Sequence, residues 1–526
     1  MHNDEAVNAL KIQALWEKGV YAYDPEEYHG PSLYYSTLPF LWLSPARDFS
    51  QLSETTLRLV PMVFGLGLIV LLWWLRDGLG ATATLCAGAL TALSPAMVFY
   101  SRYFIHEMLL VCFTMLVIVA GWRYARAPSL GWAVLGGMGL GLMHATKETF
   151  VFPVSAIAVA GLLTAIWRNS VSPSRPLVHE GSGIGGQESS VPGPERQTLT
   201  PHGWNRLHLL AGLGAGLIVS VLLFTSFFTH PSGPLDSLRS YFPWLHRARG
   251  HSPHIHPFMF YIERLVFFHQ GNGPVWTEGL IILLATVGMA AAFAGRGLGV
   301  ANVWLARFLA FYTILLTLAY SAISYKTPWC MLGFLHGLIL LAGVGAAVLF
   351  RLLLRNPQAS DHTLRSVAQS RLLIAVPLVL ALVGGGVHLG WQAWQGSFRY
   401  EADRRNPYVY AQTVPDTLEL CAQLEALAQI APQGHEILIK VMSPESDYWP
   451  LPWYLRRFQR VGWWDHLPDD PYAPMMIVGQ KLWPAFKTNL NPGWSALGVH
   501  GLRPGTFLQL YVQNGLWGRY LESVKK

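Results

Sequence analysis

The chain has 526 residues, of which 52% are hydrophobic and only 13% are charged, and its formal net charge is +7. Soluble globular domains carry about 25% charged residues, and the apolar residues of this chain stand in long blocks, as in membrane proteins. Its basic residues are scattered between these blocks and form no stripe with interleaved aromatic residues, which argues against a nucleic-acid partner.

About ten apolar blocks of membrane-spanning length follow an opening stretch that contains none. We predict spanning helices at about 57–76, 81–100, 104–124, 130–146, 149–167, 208–228, 275–294, 302–323, 329–350 and 372–394. The fourth and fifth blocks are separated by the polar run HATKE at 144–148. Because a charge at a helix centre costs roughly 2.5–3.5 kcal/mol in a membrane, this run is predicted at a membrane surface.

The Lys and Arg residues of the short loops predict the orientation, because they favour the cytoplasmic side. The loops that carry most of them, and that we assign to the cytoplasm, contain Arg76, Arg123, Arg126, Arg168, Arg206, Arg296, Arg351, Arg355 and Arg371. The opposite loops, which include the polar run at 144–148 and a turn at 325–327, are then exoplasmic. We expect a multi-pass protein of the cell membrane.

The sequence divides into three predicted regions. Residues 1–56 are predicted as a first exoplasmic loop with interfacial helices, 57–396 as the bundle, and 397–526 as a soluble exoplasmic α/β domain. The predicted fold class is mainly α, a polytopic membrane helix bundle with a C-terminal α/β domain. Within the bundle, polar composition predicts two cytoplasmic linkers and one exoplasmic loop, at 169–205, 356–369 and 229–274.

The tail carries strand-like runs with a helical run before them. The helical run covers about 416–430, and the strands are predicted at 436–442, 474–478 and 506–512. The segment DYWPLPWYLRRF at 447–458 is rich in aromatic residues, so it is predicted to lie against the membrane interface.

Two carboxylate sites stand on the predicted exoplasmic side. Asp4 and Glu5 are adjacent, so they can serve as a general base or hold a metal. They can also simply favour the first turn of a helix through its dipole, and the pair alone favours this second interpretation. Glu107 follows His106 where the third span leaves the surface, with Arg102 just before it. A hydrated carboxylate at a membrane boundary explains Glu107 equally well.

Two lysines stand on the same side. Lys147 is followed by Glu148, and Lys326 follows Tyr325. Each lysine can anchor a phosphate near the headgroups or reach to the interface as a snorkelling side chain. Carboxylates and cations on one face of a bundle suit a reaction on a lipid phosphate. A carboxylate takes a proton from an acceptor hydroxyl, and the cations stabilise the departing phosphate.

Histidines concentrate in the predicted loop at 229–274. Its run HSPHIH contains His251, His254 and His256, and imidazoles can ligate a divalent metal. The neighbouring prolines favour an extended loop, so a surface loop that lines the acceptor site is the favoured interpretation. No cofactor other than this candidate metal is expected.

Several motifs, in this order along the chain, resemble one known group of enzymes. They are DEAVNALKIQALWEKGVYAYDPEEYHGPSLYY at 4–35, SETTLRLVPMVFGL at 53–66, SRYFIHEMLL at 101–110, ATKETFVF at 145–152, YKTPWCMLGF at 325–334, RNPYVYAQT at 405–413 and DYWPLPWYLRR at 447–457. The chain resembles membrane glycosyltransferases of the GT-C superfamily, the group of protein O-mannosyltransferases and lipid A aminoarabinose transferases. Within that group it is most similar to a bacterial and archaeal family known as flippase-activity-associated.

The resemblance implies a role for the candidate residues. Asp4 matches the acidic residue of the first exoplasmic loop that serves as the catalytic base, Glu5 is its companion, and Glu107 matches a second acidic position. His29 stands where many relatives carry a lysine. A further span is expected ahead of Asp4. The residues expected to bind substrate are His29, Arg102, His106, Lys147, Glu148, Tyr325 and Lys326.

Three hypotheses of different classes remain at this point. The leading one is a hexosyl- or pentosyltransferase that moves a sugar, with inversion, from a polyprenyl-phosphate donor to a glycan, lipid or protein acceptor. The second is a lipid-linked-sugar flippase, or an accessory of one, without transferase activity. The third is a receptor or scaffold whose tail does the binding. Only the enzyme requires Asp4 and Glu107 to meet in one cavity, because general catalysis needs hydrogen-bond reach.

Overall fold

The computed structural model describes residues 1–26, 29–170, 205–243, 254–354, 364–488 and 490–525. Most of the predicted linker 169–205, the first part of the linker 356–369, and His251 lie outside these ranges. The second linker is shorter than predicted, because a helix begins at Leu364.

The first loop region contains two helices, α1 (Asn3–Lys18) and α2 (Ser32–Leu43). Helix α1 begins with a capping box: His2 Nδ1 accepts the Asp4 N–H at 3.0 Å, and the Glu5 carboxylate accepts the His2 N–H at 2.9 Å. Helix α1 ends at Gly19, whose φ of 65° closes the last turn. The acidic pair therefore does stand in the first turn of a helix.

A helix lies at each predicted block, and two short helices lie within the predicted exoplasmic loop at 229–274. In chain order the helices are α3 (Glu54–Leu72), α4 (Arg76–Leu79), α5 (Ala81–Leu93), α6 (Pro95–Ser101), α7 (Glu107–Arg126), α8 (Leu130–His144), α9 (Val151–Ser170), α10 (Arg206–Phe224), α11 (Gly233–Arg239), α12 (Phe260–Val266), α13 (Gly279–Ala294), α14 (Val303–Ala322), α15 (Leu332–Leu354) and α16 (Leu364–Trp394).

Seven helical segments of the described chain are long and apolar enough to cross a membrane. Helices α5 and α6 together are long enough for an eighth crossing, although the chain bends by 62° between them. Helices α8 and α13 are apolar but have 15 and 16 residues, fewer than the roughly 20 that a spanning helix needs. Each predicted block thus contains a helix, and the multi-pass membrane architecture is confirmed.

Helices α8 and α10 approach each other through glycines. A Cβ added at Gly137 would lie 1.8 Å from the Gly212 carbonyl oxygen, and one at Gly141 would lie 2.3 Å from that of Gly216. Both contacts are with backbone atoms, which cannot move aside as the end of a flexible side chain can. Small residues of this kind let membrane helices pack closely where lipid offers no hydrophobic driving force.

The C-terminal part is a five-stranded mixed sheet in the order β2-β1-β3-β5-β4. Strand β1 pairs in parallel with β2 and β3, and β5 pairs antiparallel with β3 and β4. The strands are β1 (Ile439–Met442), β2 (Val461–Trp464), β3 (Met475–Gly479), β4 (Trp494–Arg503) and β5 (Thr506–Gln513), and the helices of this part are α17 (Asp416–Ile430), α18 (Leu451–Tyr454), α19 (Trp483–Thr488) and α20 (Asn514–Val524). The predicted fold class is confirmed.

The aromatic segment at 447–458, predicted to lie against the membrane interface, packs in part against the first loop region. Trp453 is 1% exposed and contacts Phe49 edge-on, with ring centroids 5.6 Å apart. Arg456 donates to the Leu52 carbonyl at 2.7 Å. The aromatic composition reflects an interface between the C-terminal domain and the first loop region, which sequence cannot distinguish from a lipid interface.

We expect Gly137→Ala to separate α8 from α10 and to lower the free energy of unfolding by about 1–3 kcal/mol, because overpacking strains a close contact. Thermal unfolding of the purified protein in detergent measures this. Gly214→Ala is the matched control, because Gly214 lies on α10 with open space around its Cβ position. Equal unfolding temperatures for the two variants would contradict the close approach.

Candidate active site

One cavity of about 380 Å³ lies where several bundle helices begin or end. Its wall includes the first residue of α7, residues 147–149 ahead of α9, the C-terminal end of α14 and the turn that leads into α15. This volume falls in the range of small-molecule sites. The polar and charged residues in its wall include Asp4, Asn8, Lys11, Glu26, His29, Glu107, Lys147, Glu148, His254 and Tyr325.

One face of helix α1 forms a side of this cavity. Asp4, Val7, Asn8 and Lys11 all line it, at spacings that place them on the same helix face. Asn8 is buried and fixed: its amide donates to the Phe104 carbonyl at 3.1 Å, and the Tyr34 hydroxyl donates to its oxygen at 2.9 Å. Asn8 and Lys11 were not predicted as site residues, although helical spacing from Asp4 would have pointed to them.

Glu5 has a different environment from its neighbour Asp4. Its side chain is fully buried, and both carboxylate oxygens pair with the Arg58 guanidinium at 2.7 Å. The Phe104 N–H also donates to it, at 3.0 Å. Burial acts to raise the pKa of Glu5, but the Arg58 charge and its hydrogen bonds outweigh burial and lower the pKa to about 2. Glu5 is thus a structural carboxylate, which disagrees with its predicted catalytic role.

Asp4 points the other way and remains accessible. Its side chain is 48% exposed and lies in the cavity wall. The His2 imidazole comes no closer than 4.0 Å to its carboxylate. The structure therefore brings only one member of the acidic pair into the cavity, and it is the one that the family resemblance marks as the base.

Glu107 and Lys147 form a buried ion pair in the wall of the same cavity. Each residue is 6% exposed. Burial acts to lower the pKa of the Lys147 ammonium, but the Glu107 carboxylate outweighs it and raises that pKa. The cavity thus brings Asp4 and Glu107, two of the carboxylates in its wall, together with a lysine that stays charged.

His29 lies beside this pair because of a backbone contact. It forms an isolated β-bridge with Lys147, and the Gly30 N–H donates to the Thr146 carbonyl at 3.0 Å. A Cβ at Gly30 would lie 2.2 Å from the Ala145 carbonyl oxygen, so only glycine fits. His29 Nδ1 lies 3.4 Å from the buried Glu148 carboxylate.

His106 contacts the backbone of the same segment, at Gly30. Its Nε2 lies 3.0 Å from the Gly30 carbonyl oxygen, and the ring is fully buried. Burial and the neighbouring His29 lower its pKa well below the usual range. His106 is therefore a neutral positioning group and not the substrate ligand that was predicted.

Two further predicted substrate ligands, Arg102 and Lys326, are not among the described residues that line the cavity. Arg102 donates to the Ser397 carbonyl at 2.8 Å and lies over the Phe398 ring, beside a separate cavity of about 220 Å³. Lys326 is 1% exposed and donates to the carbonyls of Ile323 and His256. Burial lowers the pKa of Lys326. Both side chains hold loops together; Tyr325, by contrast, does line the cavity.

The candidate metal ligands do not converge. His254 lines the cavity and packs against Tyr325, whereas His256 stacks on Phe260 with ring centroids 4.1 Å apart. No three His, Cys, Asp or Glu side chains of the described residues form a metal-binding group. His251 lies outside those residues.

Comparisons with known proteins agree with this fold. Residues 46–182 match the family model of the dolichyl-phosphate-mannose-protein mannosyltransferases. The structure of ArnT from Cupriavidus metallidurans bound to undecaprenyl phosphate superimposes with a TM-score of 0.57 at 15% identity, covering 98% of this chain and 94% of that one. The chain has the GT-C glycosyltransferase fold.

A second solved structure has the same fold. It is the Archaeoglobus fulgidus oligosaccharyltransferase tethered with an acceptor peptide, at a TM-score of 0.51 and 14% identity. The match covers 88% of this chain and 60% of that one. No curated protein sequence matches the chain. The GT-C resemblance inferred from the motifs is thus confirmed at the level of the fold.

We expect the neighbouring variants Glu5→Gln and Asp4→Asn to differ in stability. Glu5→Gln removes the charge that Arg58 pairs with, but Arg58 is 33% exposed and keeps its ion pair with Glu54 at 3.1 Å. The substitution should therefore cost about 1.5–3 kcal/mol, whereas Asp4→Asn should leave the unfolding temperature unchanged. The Glu5 carboxyl has a pKa near 2 in the folded protein and about 4.3 in the unfolded chain. It therefore stabilises the fold fully above about pH 4.3, and this stabilisation is lost as the pH falls towards 2.

Thermal unfolding of both variants in detergent, between pH 7 and pH 3, measures this contrast. Wild type should lose stability as the pH falls below about 5, and Glu5→Gln should lose less. An unfolding temperature of Glu5→Gln equal to that of Asp4→Asn would show that the ion pair does not hold α1 in place.

Proposed function

We propose that the protein is a membrane glycosyltransferase that moves a sugar from a polyprenyl-phosphate donor to an acceptor, with Asp4 as the base. One observation carries the proposal: Asp4, Glu107 and Lys147 line a single cavity at one end of the spanning helices. The mannosyltransferase family match over 46–182 and the undecaprenyl phosphate named with the ArnT structure support a lipid-linked donor.

Each residue has a defined part in this reaction. The accessible Asp4 carboxylate takes the proton from the acceptor group while that group forms a bond to the anomeric carbon. The bond from this carbon to the phosphate oxygen breaks, and its electron pair stays on the phosphate. Lys147, Lys11 and His29 lie in the same wall and stabilise the charge of the departing phosphate. Displacement from the opposite side inverts the linkage.

The cavity lies at the end of the bundle that the loop charges predict to be exoplasmic. Its wall is largely aromatic beside the charged residues and includes Tyr34, Tyr261, Tyr320, Trp329 and Tyr410. Tyr410 belongs to the segment that leads into the C-terminal domain, so this domain borders the site. This space holds the sugar, which is a hexose or a pentose, and the acceptor, which is a glycan, a lipid or a protein.

The flippase alternative receives less support. It needs a polar route through the membrane, and the predicted spans carry few charges near their centres. Arg307 is the main candidate, and it lies close to the predicted cytoplasmic end of its span. The Arg307 guanidinium donates to the Ala292 carbonyl at 2.9 Å and lies 4.9 Å from the Trp167 and Trp304 ring centroids. Arg307 therefore closes the C-terminal end of α13. A scaffold, in turn, would need neither Asp4 nor Glu107 in a cavity.

We expect Asp4→Asn to lower transfer by about 100-fold or more, because a positioned general base contributes 10²–10⁴-fold. The assay follows transfer from a panel of radiolabelled polyprenyl-phosphate sugars to endogenous acceptors in membranes that contain the protein. Transfer by Asp4→Asn at the wild-type rate, with equal amounts of folded protein, would exclude Asp4 as the base.

Helix α1 offers a matched pair of lysines for the electrostatic part of the proposal. Lys11 lines the cavity, whereas Lys18 is exposed in the last turn of the helix. Lys11→Met should lower transfer by about tenfold, which corresponds to a hydrogen bond to a charged group, and Lys18→Met should not change it. Equal transfer rates for the two variants would exclude a role for Lys11 in stabilising the departing phosphate.

A further inference from the structure

The two ion pairs near the cavity, each with a buried carboxylate, differ in how many hydrogen bonds that carboxylate accepts. Both oxygens of the Glu5 carboxylate accept from Arg58, and backbone N–H groups of His2 and Phe104 donate to it as well. Among the described residues, the Glu107 carboxylate accepts from Lys147 alone, and Lys147 Nζ donates to Glu107 alone. The first pair is complete, and the second is not.

The incomplete pair faces the cavity. An ammonium carries three N–H donors, and the described protein groups use one of those of Lys147. A buried ion pair is stable only when further hydrogen bonds satisfy its remaining donors and acceptors. Glu107 and Lys147 both line the 380 Å³ cavity, and both are almost fully buried. The remaining donors of Lys147 thus lie where a ligand of the cavity can reach them.

A phosphate in this cavity would compete with Glu107. Both are anions, and each favours the Lys147 ammonium, while at close range they repel each other. Lysine has a flexible four-carbon stem, so its charge can move between two partners without a change in the backbone. The backbone of Lys147 is itself fixed by its bridge to His29.

We propose that the Glu107–Lys147 pair is a latch that the donor phosphate opens. Lys147 turns from Glu107 to the phosphate, and the released Glu107 carboxylate becomes an acceptor of hydrogen bonds from the second substrate. The donor then binds before the acceptor, because Glu107 is engaged until the phosphate arrives. This inference rests on the proposed function, and it assigns to Glu107 a role in the order of binding.

The latch makes an unusual prediction for binding. Glu107→Gln removes the competing charge and keeps the shape, so the affinity for undecaprenyl phosphate should rise while sugar transfer falls. We expect a gain of at least about fivefold, the lower end of typical coupling between two ligands of one group. Lys147→Met should weaken the same binding by a comparable factor. Titration of the purified full chain in nanodiscs with undecaprenyl phosphate measures both.

A double variant separates competition from unrelated effects. In Glu107→Gln/Lys147→Met the gain from Glu107→Gln should disappear, because no ammonium is left to release. Glu107→Asp shortens the carboxylate by one methylene and should give an intermediate gain, which tests the latch if Glu107→Gln unfolds. Thermal unfolding of each variant checks that the titrated protein is folded.

Three outcomes decide the proposal. A Glu107→Gln gain that depends on Lys147 supports the latch. Unchanged or weaker binding by folded Glu107→Gln and Glu107→Asp, or the same gain in the Lys147→Met background, overturns it. A Lys147-dependent gain in a protein that transfers no sugar from any donor of the panel would keep the latch and refute the transferase, so the two failures can be told apart.

Discussion

The ion pair between the buried Glu5 carboxylate and the half-buried Arg58 guanidinium is the contact on which the geometry of the site depends. It joins the first turn of α1 to helix α3, and through the Phe104 N–H it also joins the turn that precedes α7. Because Glu5 is fixed and successive helix residues point about 100° apart, the adjacent Asp4 projects in a different direction, into the cavity wall. The same orientation brings the rest of that helix face, including Lys11, to the cavity wall.

A second constraint fixes the opposite wall. The His29–Lys147 bridge and the contact of Gly30 with residues 145 and 146 bring the first loop region onto the polar run ahead of α9. Glu107 starts a spanning helix within reach of this run. Charged groups that the membrane would exclude are thus collected at helix ends, where a cavity replaces lipid and the cost of burial is shared within pairs.

Sequence predicted the helices well and the site only in part. Hydrophobic block length is a local property, so each predicted block contains a helix. The helices α8 and α13 nevertheless end short of spanning length, and no block reveals where packing ends a helix. Asp4 and Glu5 look alike in sequence, and only the partner Arg58 distinguishes them. Lys326 looks like a phosphate anchor in sequence, but its ammonium donates to the carbonyl of His256 in a distant loop and to that of the nearby Ile323. Such partners are set by tertiary structure.

The two ion pairs show how one fold divides stability from function. A carboxylate whose oxygens are all used, such as Glu5, contributes to stability and has nothing left for a substrate. A carboxylate with one partner, such as Glu107, keeps capacity for hydrogen bonds at the cost of an incompletely satisfied buried charge. The cavity is lined by the incompletely paired Glu107 and held in place by the fully paired Glu5. Such a cavity can bind charged substrates. The adjacent residues Asp4 and Glu5 differ in the same way, because Asp4 stays accessible in the cavity wall while Glu5 is buried and paired.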